Sequence, residues 1–336
     1  MNSSGILAND TSLDRGDEDE LDYSCPLLGE ENVVGNVAKI IAFAVIMVMS
    51  LIGNVLIIIV TRRTQRMRTT AYKFVVNMAV ADLCTTIINM PESLAVEIRE
   101  TDEWITGVLG VVLCKLLPFC QQVCAFCSIL SLLTIALDRF FAFCLPLKRI
   151  MTSKRCKIII ASSWLIPCIS SAPMLLANNV IKTEGLLLCL EEWPVPLNSM
   201  KASRDYSIIL FVLFYLFPLI IISALYSCVI FKLWRRKLPG NSSLQTDRIY
   251  LRSKTKALKM FIVTVICFAL CWLPYHVTYI LVTYYNEFYY CGLPENVDFI
   301  SLFFMHAISA FNPFIYMIFN KDYRNGIKRL MTCCEL

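Results

Sequence analysis

The chain has few of the residues that build metal centres and charged surfaces. Only two histidines, His276 and His306, occur in 336 residues. That scarcity argues against a metal enzyme, because imidazole is the commonest ligand for catalytic metals. Charged residues make up 17% of the chain, against about a quarter in an ordinary soluble domain. Too little charge is left to cover a water-facing surface of that size. No basic segment followed by a short apolar core precedes the first long apolar block, so no cleaved leader is expected. The two halves do not repeat each other, which argues against a transporter built from paired repeats. Residues 1–37 are too polar to bury a core and read as a disordered, acidic, extracellular tail.

What the chain does have is hydrophobic length. It is 57% hydrophobic, with a mean hydropathy of +0.62. The apolar residues fall into seven blocks, at roughly 38–60, 72–97, 112–144, 157–178, 206–233, 258–284 and 298–319. Each is near the length of about 20 residues that a helix needs to cross about 30 Å of hydrocarbon. These blocks predict an all-α membrane protein, a seven-transmembrane helix bundle over residues 38–319. The segment "KDYRNGIKRLMTCC" then mixes basic and apolar residues, predicting a short amphipathic eighth helix within 320–336. Cys333 and Cys334 at its end suit palmitoylation.

Basic residues set the orientation, since they collect on the cytoplasmic side. They cluster after the first span (Arg62, Arg63, Arg66, Arg68), after the third (Lys148, Arg149, Lys154, Arg155), between the fifth and sixth, and after the seventh. The N-terminus is therefore expected outside and the C-terminus inside. Asn2 and Asn9 lie in glycosylation sequons on the outer side. The outer ends are acidic, including Glu191 and Glu192, and a negative rim attracts cationic ligands. Cys25, Cys114, Cys189 and Cys291 sit where oxidation is permitted. Four cysteines allow three pairings, which spacing alone leaves open. Cysteines inside the spans, such as Cys84, Cys124 and Cys127, read as small packing residues.

Polar residues inside spans are costly in lipid and mark function. Gln121, Ser128 and Arg139 follow one another by 7 and 11 residues, steps that return a helix to within about 20° of one face. With Asp82, Ser309 and Asn312 they predict a hydrated polar channel through the bundle. Pro218 and Pro274 each remove a helix hydrogen bond and permit a bend. Phe268, Trp272, Tyr275 and Tyr279 form one aromatic stripe leading to Pro274. The outer members are read as ligand contacts, and Phe268 and Trp272 as relays.

The chain resembles the rhodopsin-like (class A) G-protein-coupled receptors over every span. The carrying residues are "GNVLI" with Asn54, "NMAVADL" with Asp82, Cys114, "DRF" followed by "CLPL", Trp164, Pro218 with Tyr226, "FALCWLP", and "NPFIY". The resemblance implies that Asp138 holds Arg139 at rest and releases it on activation toward Tyr226 and Tyr316, with Asn312 and Pro313 in the same switch. Phe140 replaces the family's usual tyrosine, and Lys254 stands where some relatives carry an acid. It further implies a sodium ion held by Asp82, Ser128, Ser309 and Asn312, although Ile308 stands where asparagine is common. No other cofactor is expected. Cys114 and Cys189 match the family's disulfide, with Cys25 and Cys291 as a second pair.

Two ligand classes are disfavoured by single residues. Amine receptors of this family place an aspartate where Gln121 stands, and opsins a lysine where His306 stands. The outer loop "CLEEWP" is similar to that of receptors for RFamide-type, orexin and neuropeptide Y peptides, and "FALCWLPYHVTYIL" to the sixth span of tachykinin receptors. Gln121 and Gln122 offer amide groups suited to a carboxamide, and Glu191 or Glu192 a partner for a basic side chain. Gln121, Gln122, Glu191, Glu192, Trp193, Tyr275, His276, Tyr279 and His306 form the expected ligand set. The expectation is a plasma-membrane receptor for an amidated, basic extracellular neuropeptide, activating heterotrimeric G proteins and catalysing no reaction of its own. Arrestin and receptor kinases are further partners of that class, membrane lipids surround it, and no nucleic acid is involved. The rival readings are a class A receptor for a lipid or other small molecule and, further off, a transporter or channel.

Overall fold

In a computed structural model the described residues are 33–99, 101, 103–145, 150–183, 185–194, 199–235, 244–284 and 293–333. Asn2, Asn9, Cys25, Cys291 and Cys334 lie outside them, as does the side chain of Cys333. Among the described residues, seven helices are long and apolar enough to cross a membrane: α1 Val34–Arg63, α2 Thr70–Arg99, α3 Gly107–Cys144, α4 Ser153–Ala177, α5 Lys201–Trp234, α6 Leu258–Val282 and α7 Asn296–Phe319. A short helix, α8 (Lys321–Cys333), follows. The seven-helix bundle with an eighth amphipathic helix is the fold that hydropathy predicted. The helix carrying α6 begins earlier than its apolar block, running Leu244–Tyr284.

One element was not foreseen in an all-α reading. Between α4 and α5, β1 (Asn178–Thr183) and β2 (Leu186–Glu191) form an antiparallel hairpin with Val180 opposite Cys189. Its turn contains Gly185 at φ 91°, a left-handed conformation that glycine adopts without steric cost. A disulfide from Cys114 in α3 to Cys189 in β2 ties the hairpin to the bundle. Lys115 adds to the anchor, its Nζ donating to the carbonyls of Leu175 and Asn178 at 3.1 and 2.8 Å and to Asn179 Oδ1 at 2.9 Å.

Apolar and polar residues are arranged inside out relative to a water-soluble protein. Ile52, Leu165, Ile169, Phe217, Ile220, Leu270 and Ile318 are exposed on the outer surface, while Asn54, Asn77, Asp82, Ser128 and Asn312 are buried. Hydrocarbon around the bundle removes the cost of the first set. Hydrogen bonds between helices engage Asn54, Asn77, Asp82 and Asn312 of the second set. Asn77 Nδ2 donates to Ser131 and Ser163 Oγ at 2.9 and 3.1 Å, and its Oδ1 accepts from Trp164 Nε1 at 2.9 Å. One amide thereby joins α2, α3 and α4. Asn54 Nδ2 donates to the Ser309 carbonyl at 3.0 Å and joins α1 to α7. Gly53 lets these helices meet, because a Cβ there would lie 2.8 Å from Pro313.

Prolines shape the spans near the site. Pro218 has no N–H to give to the helix ladder. Just before it, Val212–Leu216 adopts π-helical spacing, which rotates the aromatic residues of α5 relative to a regular helix. Pro274 lies within α6 and Pro313 within α7. At the opposite end from the hairpin, α8 is held by Thr61 Oγ1 and Tyr323 Oη at 2.9 Å and by Asn320 Nδ2 donating to Tyr72 Oη at 2.6 Å.

Candidate functional site

A cavity of about 340 Å³ opens between α3, α5, α6 and α7 toward the hairpin end. Gln121, Gln122, Tyr275, His276 and Tyr279 line it, together with Phe268 and Trp272 at its floor. The aromatic stripe of α6 is therefore a cavity wall. No carboxylate is among its lining residues. Its polar groups are sparse and distinct. Gln121 Oε1 and Trp272 Nε1 are buried without a hydrogen-bond partner among the described residues. Leaving a buried polar atom unpaired costs about 1–3 kcal/mol, so a ligand that pairs both gains from a prepared site.

His276 packs against the rings of both Phe211 and Tyr215, at centroid distances of 4.7 and 4.4 Å. Tyr279 Oη and Ser203 Oγ lie 3.1 Å apart, closing α5 on α6 near the mouth. Gln122 Oε1 accepts from the Tyr206 hydroxyl at 3.4 Å. Phe126, Phe211 and Tyr215 also line the cavity, and residue-by-residue reading missed all three. Their signal was present: Gln122 and Phe126, like Phe211 and Tyr215, stand four residues apart and share a helix face.

The other expected contacts lie elsewhere. Glu191 ends β2, and its Oε1 accepts from Trp193 Nε1 at 2.7 Å. Glu192 is exposed beside it. Trp193 meets Tyr206 edge-on at 5.1 Å. These three form a rim above the cavity and are not among its lining residues. His306 is set apart from the cavity. It is buried, its Nδ1 lies 2.9 Å from the Leu302 carbonyl, and its ring packs on Phe43 of α1 at 6.0 Å. Its place on α7 turns it toward α1, away from α3.

Below Trp272 lies a small polar pocket lined by Asp82, Gln121, Cys124, Ser128, Ser309 and Asn312, among others. Asp82 accepts from Asn312 Nδ2 at 2.9 Å and from Ser309 Oγ at 3.3 Å. Asn312 Oδ1 is buried without a partner among the described residues. Gln121, Phe268 and Trp272 line both cavities, so the two are neighbours that share a wall at this level.

At the α8 end Arg139 is paired with its neighbour Asp138. Its guanidinium also faces the Phe261 ring of α6 at 6.0 Å. Tyr226 Oη is buried and has no partner among the described residues. Tyr316 Oη instead contacts Met78 Sδ at 3.9 Å. The two tyrosines and Arg139 thus stand near one another without being bonded together.

Residues 53–316 match the family model described as 7 transmembrane receptor (rhodopsin family). The chain belongs to the rhodopsin family of seven-transmembrane receptors. Among its relatives this receptor is 31% identical over 296 residues to the neuromedin-K receptor of Mus musculus, an alignment covering 88% of this chain and 63% of that one. It is 31% identical to the neuromedin-K receptor of Homo sapiens, with 88% and 61% covered. It is 30% identical over 294 residues to the substance-K receptor of Mus musculus, with 87% and 75% covered. The receptor therefore spans less than two thirds of the neuromedin-K receptors it matches.

Proposed function

We propose that this protein is a plasma-membrane receptor for an extracellular neuropeptide with an amidated end, and that it activates heterotrimeric G proteins. The single observation that carries the ligand class is a pair of unpartnered groups on two residues that line the cavity, Gln121 Oε1 and Trp272 Nε1. A primary carboxamide supplies what both need, an N–H donor for the first and a carbonyl acceptor for the second. A carboxylate would meet Gln121 Oε1 with a like partial charge and no proton. The similarity to neuromedin-K and substance-K receptors supports a peptide.

A basic side chain of the ligand would be met at the rim by Glu191 and Glu192, since no acid among the described residues lines the cavity itself. In this reading the hairpin end and the tail 1–37 are extracellular, carrying Asn2 and Asn9 as glycan acceptors, and α8 lies on the inner leaflet with Cys333 and Cys334 as palmitoylation sites. The receptor domain is 38–319, and 320–336 is the inner appendage. Asp138, Arg139, Tyr226, Phe268, Trp272, Pro274, Asn312, Pro313 and Tyr316 form the switch. The ligand biases a two-state equilibrium in which Arg139 leaves Asp138 and pairs with the free hydroxyl of Tyr226.

The polar pocket suits a sodium ion. Its donors are hard oxygens, one carboxylate among neutral hydroxyls and amides, and Asn312 Oδ1 lacks a partner among the described residues. Asp82, Ser128, Ser309 and Asn312 would hold the ion, which supplies a positive charge that makes the buried carboxylate tolerable. Receptor kinases and arrestin are further partners of this reading.

The test is G-protein activation in cells, using paired amidated and free-acid peptides alongside amines and lipids. Activation by an amidated basic peptide, lost in its free acid, is the expected result. Activation by lipids or amines alone would overturn the peptide assignment.

A further inference from the structure

The ligand cavity does not end inside the bundle. Ile208 and Val212 of α5 and Ile280 and Tyr284 of the α6 helix line it, yet they are 37%, 40%, 43% and 50% exposed. Lining the cavity does not by itself expose a side chain, since Leu210, Phe214, Phe268 and Trp272 line it too and are buried. The exposure comes from the outer face. Ile280 and Tyr284 continue a row of exposed residues, Ile266, Leu270, Leu273 and Val277, at steps of three and four that keep one face of a helix. Ile208 and Val212 likewise lead into Leu216 and Ile220, both exposed. The same side chains therefore face hydrocarbon on one side and the cavity on the other, where a sealed wall would keep the two apart. Paired contacts frame the gap. Above it Tyr279 Oη and Ser203 Oγ lie 3.1 Å apart, and below it His276 packs on Phe211 and Tyr215. Between these levels the lips are Ile208, Val212 and Ile280.

We propose that this gap is a lateral window, through which an acyl chain of a phospholipid from the leaflet at the hairpin end enters the cavity while its phosphate rests on Arg204. Three observations point to that occupant. The lips are wholly apolar, so they favour a hydrocarbon chain over water or a peptide backbone. They belong to the lipid-facing surface, where the neighbouring molecules are lipids. Arg204 supplies the charge that a headgroup needs. It lies one turn before Ile208 on α5, toward the mouth, and its guanidinium sits over the Tyr284 ring at 5.5 Å. Arginine and tyrosine at the ends of spans suit the headgroup level. Asp205 Oδ1 stands 3.7 Å from Arg204 Nε, with both side chains partly exposed, which leaves the rest of the planar fork for a phosphate. The acyl chain fills a gap that, left empty, forfeits the dispersion contacts of its walls. This site goes beyond the peptide reading, whose polar contacts lie at Gln121, at Trp272 and on the acidic rim.

The experiment places the purified full chain, without peptide, in nanodiscs containing phosphatidylcholine with a diazirine at the end of one acyl chain. After illumination the labelled residues are mapped by mass spectrometry. The expected result is label at Gln122 and Phe126, which line the cavity from α3, alongside label at the exposed Leu213 and Leu273 of the outer face. Val212→Trp combined with Ile280→Trp narrows the window, and should abolish the α3 label while the outer label stays. Arg204→Gln should lower the α3 label several-fold. Label confined to the outer face would overturn the proposal, as would α3 label that the two tryptophans leave unchanged. An α3 label insensitive to Arg204→Gln would overturn the phosphate contact. The wild-type map decides by itself, so the proposal stays refutable even where the tryptophan variant fails to fold. No agonist enters the measurement, so its outcome is separate from whether the receptor's ligand is an amidated peptide.

Discussion

At the scale of single residues, the site rests on few polar atoms in an apolar wall. Gln121→Ala removes the acceptor that the proposed carboxamide needs. One lost buried hydrogen bond of about 1–3 kcal/mol corresponds to a roughly 5- to 150-fold loss of potency. A dose–response series should show that loss for the amidated peptide and almost none for the already weak free acid. An equal loss for both would mean that Gln121 shapes the cavity without contacting the amide. Gly53 makes a different kind of point prediction. A Cβ there meets Pro313 at 2.8 Å, and overpacking of that sort costs about 1–3 kcal/mol. Gly53→Ala should lower the thermal midpoint in detergent by several degrees, and unchanged melting would refute the close contact. Much of the site was legible at this scale, because Gln121, Trp272, Tyr275, His276 and Tyr279 are polar or amphipathic residues inside apolar spans. Tyr215 and Phe217 show why the rest was not. Two residues apart in an apolar run, one is buried against the cavity and the other lies exposed on the outer face. Cavity wall and lipid-facing wall use the same residue types, and the π-helical stretch shifts the phase by which a helical period would sort them.

At the scale of elements, span length made the seven helices legible, because the bilayer fixes how long an apolar run must be. The hairpin was not legible by that route. Its stability comes from partners distant in sequence, Cys114 across 75 residues and Lys115 across 60 to 64. Cys189→Ser should therefore release the hairpin and destabilise the receptor by on the order of 2–4 kcal/mol. Lys115→Met tests the second anchor separately. It removes a cation that holds three acceptors, so it should increase amide hydrogen exchange across Asn178–Thr183 while leaving the disulfide intact. Protection unchanged in that strand would show that the disulfide alone positions it. The rim residues Glu191, Glu192 and Trp193 ride on this element, so both variants should weaken a basic peptide more than a neutral one.

At the scale of the whole molecule, the two cavities and the Arg139 pair form one column. Gln121 and Trp272 touch both the ligand cavity and the Asp82 pocket. Asn312, bonded to Asp82, lies in the same helix turn as Pro313 and one turn from Tyr316, near Arg139's end of the bundle. Under the proposed function, a cation at Asp82 and an agonist at Gln121 would act on one equilibrium from adjacent sites. Linkage requires the coupling to be reciprocal: if sodium weakens agonist binding by some factor, agonist weakens sodium binding by the same factor. A coupling of about 1–3 kcal/mol gives a roughly 5- to 150-fold effect. Replacing sodium with a bulky organic cation at constant ionic strength should raise agonist affinity within that range. Asp82→Asn keeps an acceptor for Asn312 but removes the charge that attracts the ion. The variant should bind agonist with equal affinity in both salts. If its affinity still follows sodium, the ion acts elsewhere, on the acidic rim rather than at Asp82. If neither protein responds to sodium while both still signal, the pocket serves to let Asn312 and Asp82 rearrange, and the coupling between the two ends runs through Trp272 alone.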